Sequence, residues 1–587
     1  MEMFQINREN WGFDYKKFTT VIFIVLPVSI MASMLYWNLP FDQSRVFEAT
    51  SNNSIVPTSS PESQILQNQT LDSRTEAVSH SKNASPGSDR NPDGEMLNTT
   101  TYPGIGNVSC SRNCSSQLTN DKLIDEVIIP SGFDEKACLS RYESVMYRKN
   151  SPHKPSAYLL SKLRNYEKLH KTCGPDTKSY NRTLKRLNQN RTSKRSLKCN
   201  YIIWIPANGL GNRIVSMAST FLYALLTNRV LLVDHGTDMA DLFCEPFPDT
   251  SWLLPNHFPV RNHGHIRYSR SFGSINTSTD SPPSHLYLNL DHSNYDLDKK
   301  LFYCDKTEPF LRKINWLFLL SDQYFAPYFF MSKSYKEEVS KLFPEKETIF
   351  YHLGHYLFNP SNQAWGLITR FYDAYLAKAD QRLGIQVRVF NPKTTPLQTV
   401  LDQVLACTLK EKLLPKVLKT QKPEAHTQYR NKKSKAILVT SLYSSFYGNL
   451  SDMYWTKATE TDEIIGVYQP SHEGYQHFSD NMHNMKAWAE IYLLSLSDVL
   501  VTSGWSTFGY VAQGLGGLKP WILFKIDGDK LPNPPCTRDL SMEPCFHVPP
   551  TYNCQEEGKV FDASIVFSSF KHCLDLSWGI KLVSNHD

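Results

Sequence analysis

Short apolar runs alternate with amphipathic segments along most of this chain. The apolar runs lie at residues 201–205, Val230 to Asp234, Leu286 to Leu290, Trp316 to Leu320, Ile385 to Phe390, Ala436 to Ser441, Val499 to Thr502 and Trp521 to Phe524. Apolar residues recur at helical spacing in six further segments. They are most of 131–198, 214–229, Ile368 to Leu383, 396–421, Asn481 to Leu496 and the stretch from Thr507 onward. This alternation predicts βα units with parallel strands, and therefore an α/β fold.

One apolar run near the N-terminus is too long for a buried strand. Phe18 to Trp37 contains twenty residues without a charge, enough for a helix that spans a bilayer. Basic residues precede it, so we expect a cytosolic tail at 1–17 and a signal anchor at 18–37. A cleaved signal peptide is the alternative, but the run is longer than usual and ends in bulky aromatic residues.

Residues 38–120 are rich in Ser, Asn, Thr and Pro and have little apolar periodicity, which predicts a disordered stem. The chain carries ten N-x-S/T sequons, six of them in this stem. They are Asn52, Asn68, Asn83, Asn98, Asn107, Asn113, Asn181, Asn190, Asn276 and Asn449. Downstream of an anchor that places them in a lumen, these sequons predict glycosylation.

Charge and cysteine content narrow the class of protein. The formal net charge is +6 over 587 residues, which is too mild for the basic patch of a nucleic-acid binder. The twelve cysteines are even in number, scattered and without a C-x-x-C pair. They therefore favour structural disulfides in an oxidising compartment over a zinc site.

The stretch 498–517 contains the first candidate site. A strand stops at Ser503-Gly504 and a helix begins near Thr507, so backbone N–H groups and the helix dipole could hold a phosphate. Hydroxyl groups of Ser503, Ser506 and Thr507 add donors and a candidate N-cap. The alternative is an ordinary βα connection that binds nothing.

A second candidate site is the turn PANGLGNR at 206–213. Gly209 and Gly211 would let the backbone approach a ligand, and Asn212 and Arg213 begin the following helix, where they could face an anion. The turn has no GK[ST] and lacks the third glycine of a dinucleotide fingerprint. A purely structural turn is the alternative.

Two charged residues lie at the predicted strand ends. Arg388 interrupts the run Ile385 to Phe390, so it must pair with a carboxylate or face a ligand anion such as a diphosphate. Asp322 follows Trp316 to Leu320, and α/β active sites lie beyond such strand ends. A helix or turn cap is the alternative role for Asp322.

Other motifs are weaker. GWSTF lacks the final glycine of a nucleophile elbow, and no HExxH is present. The D-x-D pairs Asp296/Asp298 and Asp527/Asp529 keep a metal-dependent transferase as a minor alternative. A structural role is expected for His352 and His355, since nothing supplies a third metal ligand.

Several long motifs resemble, in order, those of the plant xyloglucan-type fucosyltransferases. They are ANGLGNRIVSMASTFLYALLTNRVLLVDHG, DLFCEPFPDTSWLLP, YHLGHYLFNP, LGIQVRVF and VLVTSGWSTFGYVAQGLGG, and the resemblance runs from about Asp121 to the C-terminus. It implies a GT-B-like fold of two Rossmann-type halves facing a cleft. The acceptor-side half would be 121–375, the GDP-fucose half 376–529, and the Cys- and Pro-rich tail 530–587 would pack back on them.

The resemblance also implies an activity. A Golgi type II membrane enzyme would transfer L-fucose from GDP-β-L-fucose to a galactose on a plant cell-wall glycan, with inversion and no required metal or cofactor. Its partners would be the nucleotide sugar, a polysaccharide acceptor and the Golgi membrane, without nucleic acid; homodimerisation is left open. A catalytically inactive glycan-binding protein is the alternative function.

The same resemblance assigns roles to residues. Arg388 would hold the diphosphate, and Asp322 would be a base or an acceptor contact. The GDP-fucose site would be lined by Gly209, Gly211, Asn212, Arg213, Ser503, Gly504, Trp505, Ser506, Thr507 and Phe508.

Overall fold

The computed structural model describes residues 133–188, 198–259, 283–292, 296–419, 432–526, 528, 530–551, 554 and 562–584. The predicted anchor at 18–37 and the stem lie outside these residues, as do the sequons of the stem, Asn190 and Asn276. Within the described ranges, no helix combines the length and the hydropathy that a membrane span requires.

Twelve strands are found in the described part of the chain. They are β1 Asn200–Ile205, β2 Arg229–Val233, β3 His285–Asn289, β4 Trp316–Leu320, β5 Gln381–Gln386, β6 Ser434–Thr440, β7 Ile464–Tyr468, β8 Val499–Ser503, β9 Trp521–Leu523, β10 Cys536–Arg538, β11 Phe570–Cys573 and β12 Leu576–Leu582.

Fifteen α-helices accompany these strands. They are α1 Leu139–Tyr147, α2 Ala157–Cys173, α3 Lys178–Asn188, α4 Leu210–Thr227, α5 Asp296–Tyr303, α6 Glu308–Lys313, α7 Tyr328–Met331, α8 Lys336–Leu342, α9 Ile349–Leu357, α10 Asn362–Phe371, α11 Leu397–Lys410, α12 Ser445–Thr456, α13 Asn481–Ser495, α14 Thr507–Gly516 and α15 Ala563–Val566.

The first sheet has four parallel strands in the order β2-β1-β4-β3. Its strands are apolar on both faces, as expected for a parallel sheet covered by helices. The register pairs Leu320 with both Ile205 and Asn289. The loops that follow β1, β3 and β4 therefore leave the sheet at one edge, side by side.

The second sheet has six strands in the order β10-β9-β8-β5-β6-β7. All are parallel except β10, which runs antiparallel to β9. Gln386 at the end of β5 pairs with Thr502 in β8, so the loops after β5 and β8 also emerge together. The predicted α/β fold is confirmed, and its candidate residues lie at the carboxyl ends of two parallel sheets.

Two predictions of local structure are wrong around residue 380. The predicted helix Ile368 to Leu383 ends at Phe371, a π-helical turn covers Tyr372–Leu376, and β5 begins at Gln381. The predicted strand Ile385 to Phe390 is therefore displaced toward the N-terminus. The physical reason is the ion pair between Arg382 and Asp498, which tethers a polar strand start that resembles a helix surface in sequence.

Strand β7 was not predicted from the sequence. It is the outermost strand next to β6, and its residues are exposed or half-buried. An edge strand packs on fewer neighbours, so its apolar pattern is weaker than that of a central strand.

The expectation of structural disulfides is confirmed. Ten described cysteines form five bonds, Cys138–Cys244, Cys173–Cys199, Cys304–Cys554, Cys407–Cys536 and Cys545–Cys573. Three of these bonds involve the last 58 residues of the 587-residue chain. One joins that region to Cys304, just after α5, one joins it to α11, and one links two of its own cysteines.

Two predicted glycosylation sites can be placed in the structure. Asn181 lies in α3 and Asn449 in α12, and both side chains are exposed. The Asn449 amide donates to the Ser445 carbonyl oxygen. Both asparagines are therefore accessible on the surface, whereas their occupancy stays a prediction.

Candidate active site

The turn after β1 brings the first sheet against the second. Asn208 adopts a left-handed backbone with φ 59°, and Gly209 is the N-cap of α4. A Cβ atom on Gly211 would lie 2.7 Å from the backbone nitrogen of Phe508, closer than a side chain allows. The Thr507 hydroxyl donates to Asn212 Oδ1 across the same contact. Gly211 is thus required for the two turns to meet.

The turn after β8 is fixed by hydrogen bonds to Asp575. Trp505 has a φ of 62°, an uncommon backbone conformation for a bulky residue. Its backbone N–H donates to Asp575 Oδ2 at 2.8 Å, and its indole N–H donates to the Asp575 carbonyl oxygen. Gly504 packs so closely that a Cβ atom would lie 2.9 Å from Asp575 Cβ. Asp575, on the β11–β12 hairpin, therefore fixes the shape of this turn.

The helix that follows this turn has an open N-terminus. Ser506 is the N-cap of α14, but its side chain makes no capping hydrogen bond. Among the described residues, none accepts a hydrogen bond from the backbone N–H of Thr507, Phe508 or Gly509. The first turn of a helix normally finds partners for these groups in caps, water or ligands. Their free donors and the helix dipole suit an anion.

Arg388 lies two residues beyond β5, next to the turn that precedes this helix. Its backbone N–H donates to Ser503 Oγ at 2.9 Å, and one guanidinium nitrogen donates to Gln476 Oε1 at 3.1 Å. Burial lowers the pKa of Arg388, with the Tyr443 hydroxyl as the main opposing influence. No carboxylate in the described ranges forms an ion pair with it. Of the two alternatives from the sequence, a carboxylate partner is not found among the described residues, and a ligand anion stays the prediction.

Arg213 is differently placed. It donates to Asp238 Oδ2 at 2.7 Å and to the Asn208 carbonyl oxygen at 2.8 Å, and both partners of the ion pair are largely buried. Asn484 also donates to Asp238. The guanidinium charge of Arg213 is therefore already neutralised, and its observed contacts hold the turn in shape.

Asp322 is buried and accepts hydrogen bonds from four donors. They are Asn208 Nδ2 at 2.6 Å, Gln323 Nε2 at 2.7 Å, the His292 backbone N–H at 2.9 Å and His292 Nδ1. Burial alone would raise the pKa of Asp322, but the hydrogen bonds from His292 and Gln323 lower it below the ordinary value. A carboxylate with its oxygens so occupied is a poor proton acceptor.

His292 lies beside Asp322 because β3 and β4 run parallel in register. The hydrogen bond to Asp322 raises the pKa of His292, and about half of its side chain (51%) is exposed. His547 lies in the same region, with its Nε2 atom 3.1 Å from the Tyr510 hydroxyl, which donates to Asp575. Asp322 and His292 thus form a carboxylate–imidazole pair at the rim of the site, with the imidazole facing outward.

The structure brings most of the predicted residues together at two facing turns, one at 208–213 and one at 503–508. Three contributors were missed from the sequence: Gln476, His292 and Asp575. The rule that located Asp322 could have found His292, since both follow parallel strands. No sequence signal points to Gln476 or Asp575, because they lie in loops far along the chain.

The weaker motifs stay outside this arrangement. His352 is buried in α9, and the half-buried His355 lies between Arg148 and the Leu515 carbonyl oxygen; loss of solvent lowers the pKa of both imidazoles. Their environment is that of core histidines. Asp298 accepts from the Asn289 backbone N–H, which fits a helix-start role, and Asp527 and Asp529 lie outside the described residues.

Comparison with known proteins shows close similarity over most of the chain. A family described as Xyloglucan fucosyltransferase matches residues 105–555. A galactoside 2-alpha-L-fucosyltransferase of Pisum sativum is 52% identical over 478 residues, which cover 80% of this chain and 84% of that protein. The corresponding Arabidopsis thaliana protein is 51% identical over 495 residues, covering 83% and 86% of the two chains.

A solved structure is also similar to this chain over most of its length. A mutant of Arabidopsis thaliana FUT1 in complex with GDP superposes with a TM-score of 0.72 at 52% identity, covering 79% of this chain and 100% of that one. Sequence and fold agree over the region that contains both turns. The chain belongs to the xyloglucan fucosyltransferase family.

Proposed function

We propose that this protein transfers L-fucose from GDP-β-L-fucose to a galactose residue of a plant cell-wall glycan, with inversion at the fucose anomeric carbon. The observation that carries this proposal is the unneutralised Arg388 beside the open N-terminus of α14. The similar FUT1 structure was solved with GDP, whose diphosphate is the kind of anion these groups suit. Xyloglucan is the acceptor that the family description favours.

In this mechanism the protein stabilises the departing GDP. As the bond between fucose and phosphate lengthens, negative charge grows on the diphosphate. Arg388 and the N–H groups of Thr507 and Phe508 would stabilise that charge. They are already in place before the reaction, so no reorganisation is needed, which is the most effective form of electrostatic catalysis. Together they supply the positive charge that a metal ion supplies in other transferases, so we propose transfer that requires no metal.

We propose that His292 takes the proton of the attacking galactose hydroxyl. Its Nδ1 is held by Asp322, which leaves the exposed Nε2 as the atom that could face an acceptor. The raised pKa of His292 makes it a better base, and Asp322 is then a positioning residue. Attack by the hydroxyl on the face opposite GDP accounts for inversion in a single displacement.

We also propose a Golgi location with a single type II span at 18–37, a lumenal catalytic region at 121–529 and a GT-B-like arrangement of its two sheets. The uncharged run at 18–37, the disulfides and the exposed sequons support a lumenal environment for the catalytic region. Disulfides persist in oxidising compartments such as the lumen of the secretory pathway. The enzyme would encounter its polysaccharide acceptor in the same lumen.

The function is tested by incubating the full-length protein with GDP-fucose and a galactosylated xyloglucan oligosaccharide, followed by mass spectrometry. A gain of one deoxyhexose on galactose is expected. Unchanged acceptor mass, with retained glycan binding, would instead support an inactive glycan-binding protein.

The role of His292 is tested in the same assay with His292→Ala. We expect kcat to fall by about 100-fold, with little change in the KM for GDP-fucose, and the acidic limb of the pH–rate profile to disappear. His257→Ala, an exposed histidine elsewhere in the first half, is the control. An unchanged pH profile in His292→Ala would remove this residue from the proton transfer.

A further inference from the structure

The loop between β7 and α13 carries a cluster of metal-ligand side chains that the proposed transfer does not use. Glu473 and His477 lie four residues apart in this loop, and His483 lies in the first turn of α13. One carboxylate oxygen and one nitrogen from each histidine lie within 4.8 Å of one another. Two imidazoles and one carboxylate are a common zinc ligand set that leaves a fourth position for water.

The distances in this cluster approach those of a tetrahedral site. Glu473 Oε2 lies 3.1 Å from His483 Nδ1 and 3.7 Å from His477 Nε2. Ligands at the usual zinc distances of about 2.0–2.1 Å are separated by about 3.3 Å along the edge of a tetrahedron. Both distances from Glu473 Oε2 differ from that edge by a few tenths of an ångström, and the two histidine nitrogens lie within 4.8 Å of each other, so rotation of the partly exposed His477 ring would complete the geometry.

The surroundings keep the correct atom of Glu473 available. Lys486 donates to the other carboxylate oxygen, Oε1, at 2.7 Å, so Oε2 stays directed at the histidines. His483 is buried, whereas His477 is partly exposed and packs at a tilt against Tyr475, with 4.0 Å between the ring centroids. An ion could reach the cluster from the His477 side.

We propose that Glu473, His477 and His483 form a site for a divalent transition metal, with Zn²⁺ the best fit. The ion would replace two contacts, that of His483 Nδ1 with Glu473 Oε2 and that of His477 Nε2 with the Glu473 carbonyl oxygen. It would also tie the loop to the start of α13. The same loop carries Gln476, which accepts from Arg388 and whose Nε2 would lie 3.3 Å from a Cβ atom on Gly209. A metal here would stiffen the loop that bridges the two sheets, and it takes no part in the transfer step.

Metal binding is tested on the full-length protein in detergent, stripped of metal and dialysed into a buffer that does not chelate. Titration with Zn²⁺ by calorimetry should give one site per chain, and Co²⁺ should give the strong visible absorption of a four-coordinate complex. His477→Ala should weaken Zn²⁺ binding at that site by at least about 10-fold and abolish the Co²⁺ bands. Zn²⁺ should also raise the Tm of wild type and leave that of His477→Ala unchanged.

Two further variants make the result decisive. Glu473→Gln keeps the side-chain shape but loses the anionic ligand, so it should fail in the same way. His472→Ala removes a neighbouring histidine whose ring packs near Tyr447 and which lies outside the cluster, so it should bind Zn²⁺ as wild type does. Equal Zn²⁺ affinity in wild type, His477→Ala and Glu473→Gln, or no stoichiometric binding to wild type, would overturn the proposal.

Discussion

Two arginines lie near the site, Arg213 in the turn after β1 and Arg388 two residues beyond β5, and their electrostatic surroundings differ. Arg213 is paired with Asp238 at 2.7 Å, whereas Arg388 contacts the neutral side chain of Gln476. Both follow the carboxyl end of a central parallel strand. Position in the fold alone therefore does not decide which arginine is available to a ligand; the neighbouring carboxylate does.

A third arginine sharpens the same point. Arg382 lies at the start of β5, the strand that Arg388 follows, and it pairs with Asp498 at 3.2 Å. Hydrogen bonding to Asp498 raises the pKa of Arg382 against the effect of burial, whereas burial lowers that of Arg388. A half-buried arginine without a counter-ion is costly for the folded protein, and a ligand anion would offset that cost.

Replacing Arg388 should have the largest effect. Arg388→Ala is expected to lower kcat for fucose transfer by at least about 100-fold, because charge on the leaving diphosphate loses its main cation. Arg388→Lys keeps the charge without the planar fork and should retain an intermediate activity. Steady-state kinetics on folded protein, checked by Tm, measure both. Transfer by Arg388→Ala within threefold of wild type would refute the proposed role.

Adding a methyl group at Gly211 should have the second largest effect. In Gly211→Ala the new methyl group would collide with the backbone of Thr507 and Phe508, so the two turns must separate. We expect the KM for GDP-fucose to rise and kcat to fall, together by about 10–100-fold, since sub-ångström placement matters at such a site. Gly448→Ala, where a methyl group meets nothing within 4 Å, is the matched control.

Changing Arg213 should affect stability more than turnover. Arg213→Gln leaves Asp238 largely buried without its cation, so we expect the free energy of unfolding to fall by about 2–3 kcal/mol. Transfer activity measured well below the Tm should stay within about threefold of wild type. The double variant Arg213→Gln/Asp238→Asn should recover part of the stability. A loss of transfer as large as that of Arg388→Ala would remove the distinction between the two arginines.

The smallest effect is expected at Glu490, whose carboxyl group is hydrogen-bonded to the loop that carries Gln476. Glu490 in α13 accepts from the Ser471 hydroxyl, and burial raises its pKa to about 8. The unfolded chain releases this proton near pH 4.5 and the folded chain near pH 8, so stability falls as pH rises between those values. Glu490→Gln should therefore gain Tm relative to wild type at pH 8 and not at pH 5. Glu460→Gln, at an exposed position, should show no such pH dependence.

The sequence predicted most strands of both sheets to within two residues, because buried parallel strands are continuous apolar runs. It failed at the start of β5, where Arg382 and Asp498 pair across 116 residues, and at β7 and β10, the two edge strands of the second sheet. The turn at Ser503–Thr507 was also predictable, since it follows a strand end, whereas Arg388 was expected within the strand Ile385 to Phe390 and lies two residues beyond β5.

The partners of these residues could not be predicted. Asp575 supports Trp505 from 70 residues away, and Gln476 meets Arg388 from 88 residues away. Neither contact leaves a local pattern, because each depends on how loops from different sheets and the disulfide-linked tail pack together. The neutralisation of Arg213 by Asp238 is of the same kind, since only the folded structure shows which charges meet.

The central claim is that Arg388, and not Arg213, supplies the charge that holds the diphosphate. Calorimetric titration of GDP into the full-length wild-type protein, Arg388→Ala and Arg213→Gln tests it most directly. We predict that Kd rises by at least about 50-fold in Arg388→Ala and by less than about threefold in Arg213→Gln. Wild-type affinity for GDP in Arg388→Ala, or an equal loss in both variants, would contradict the claim.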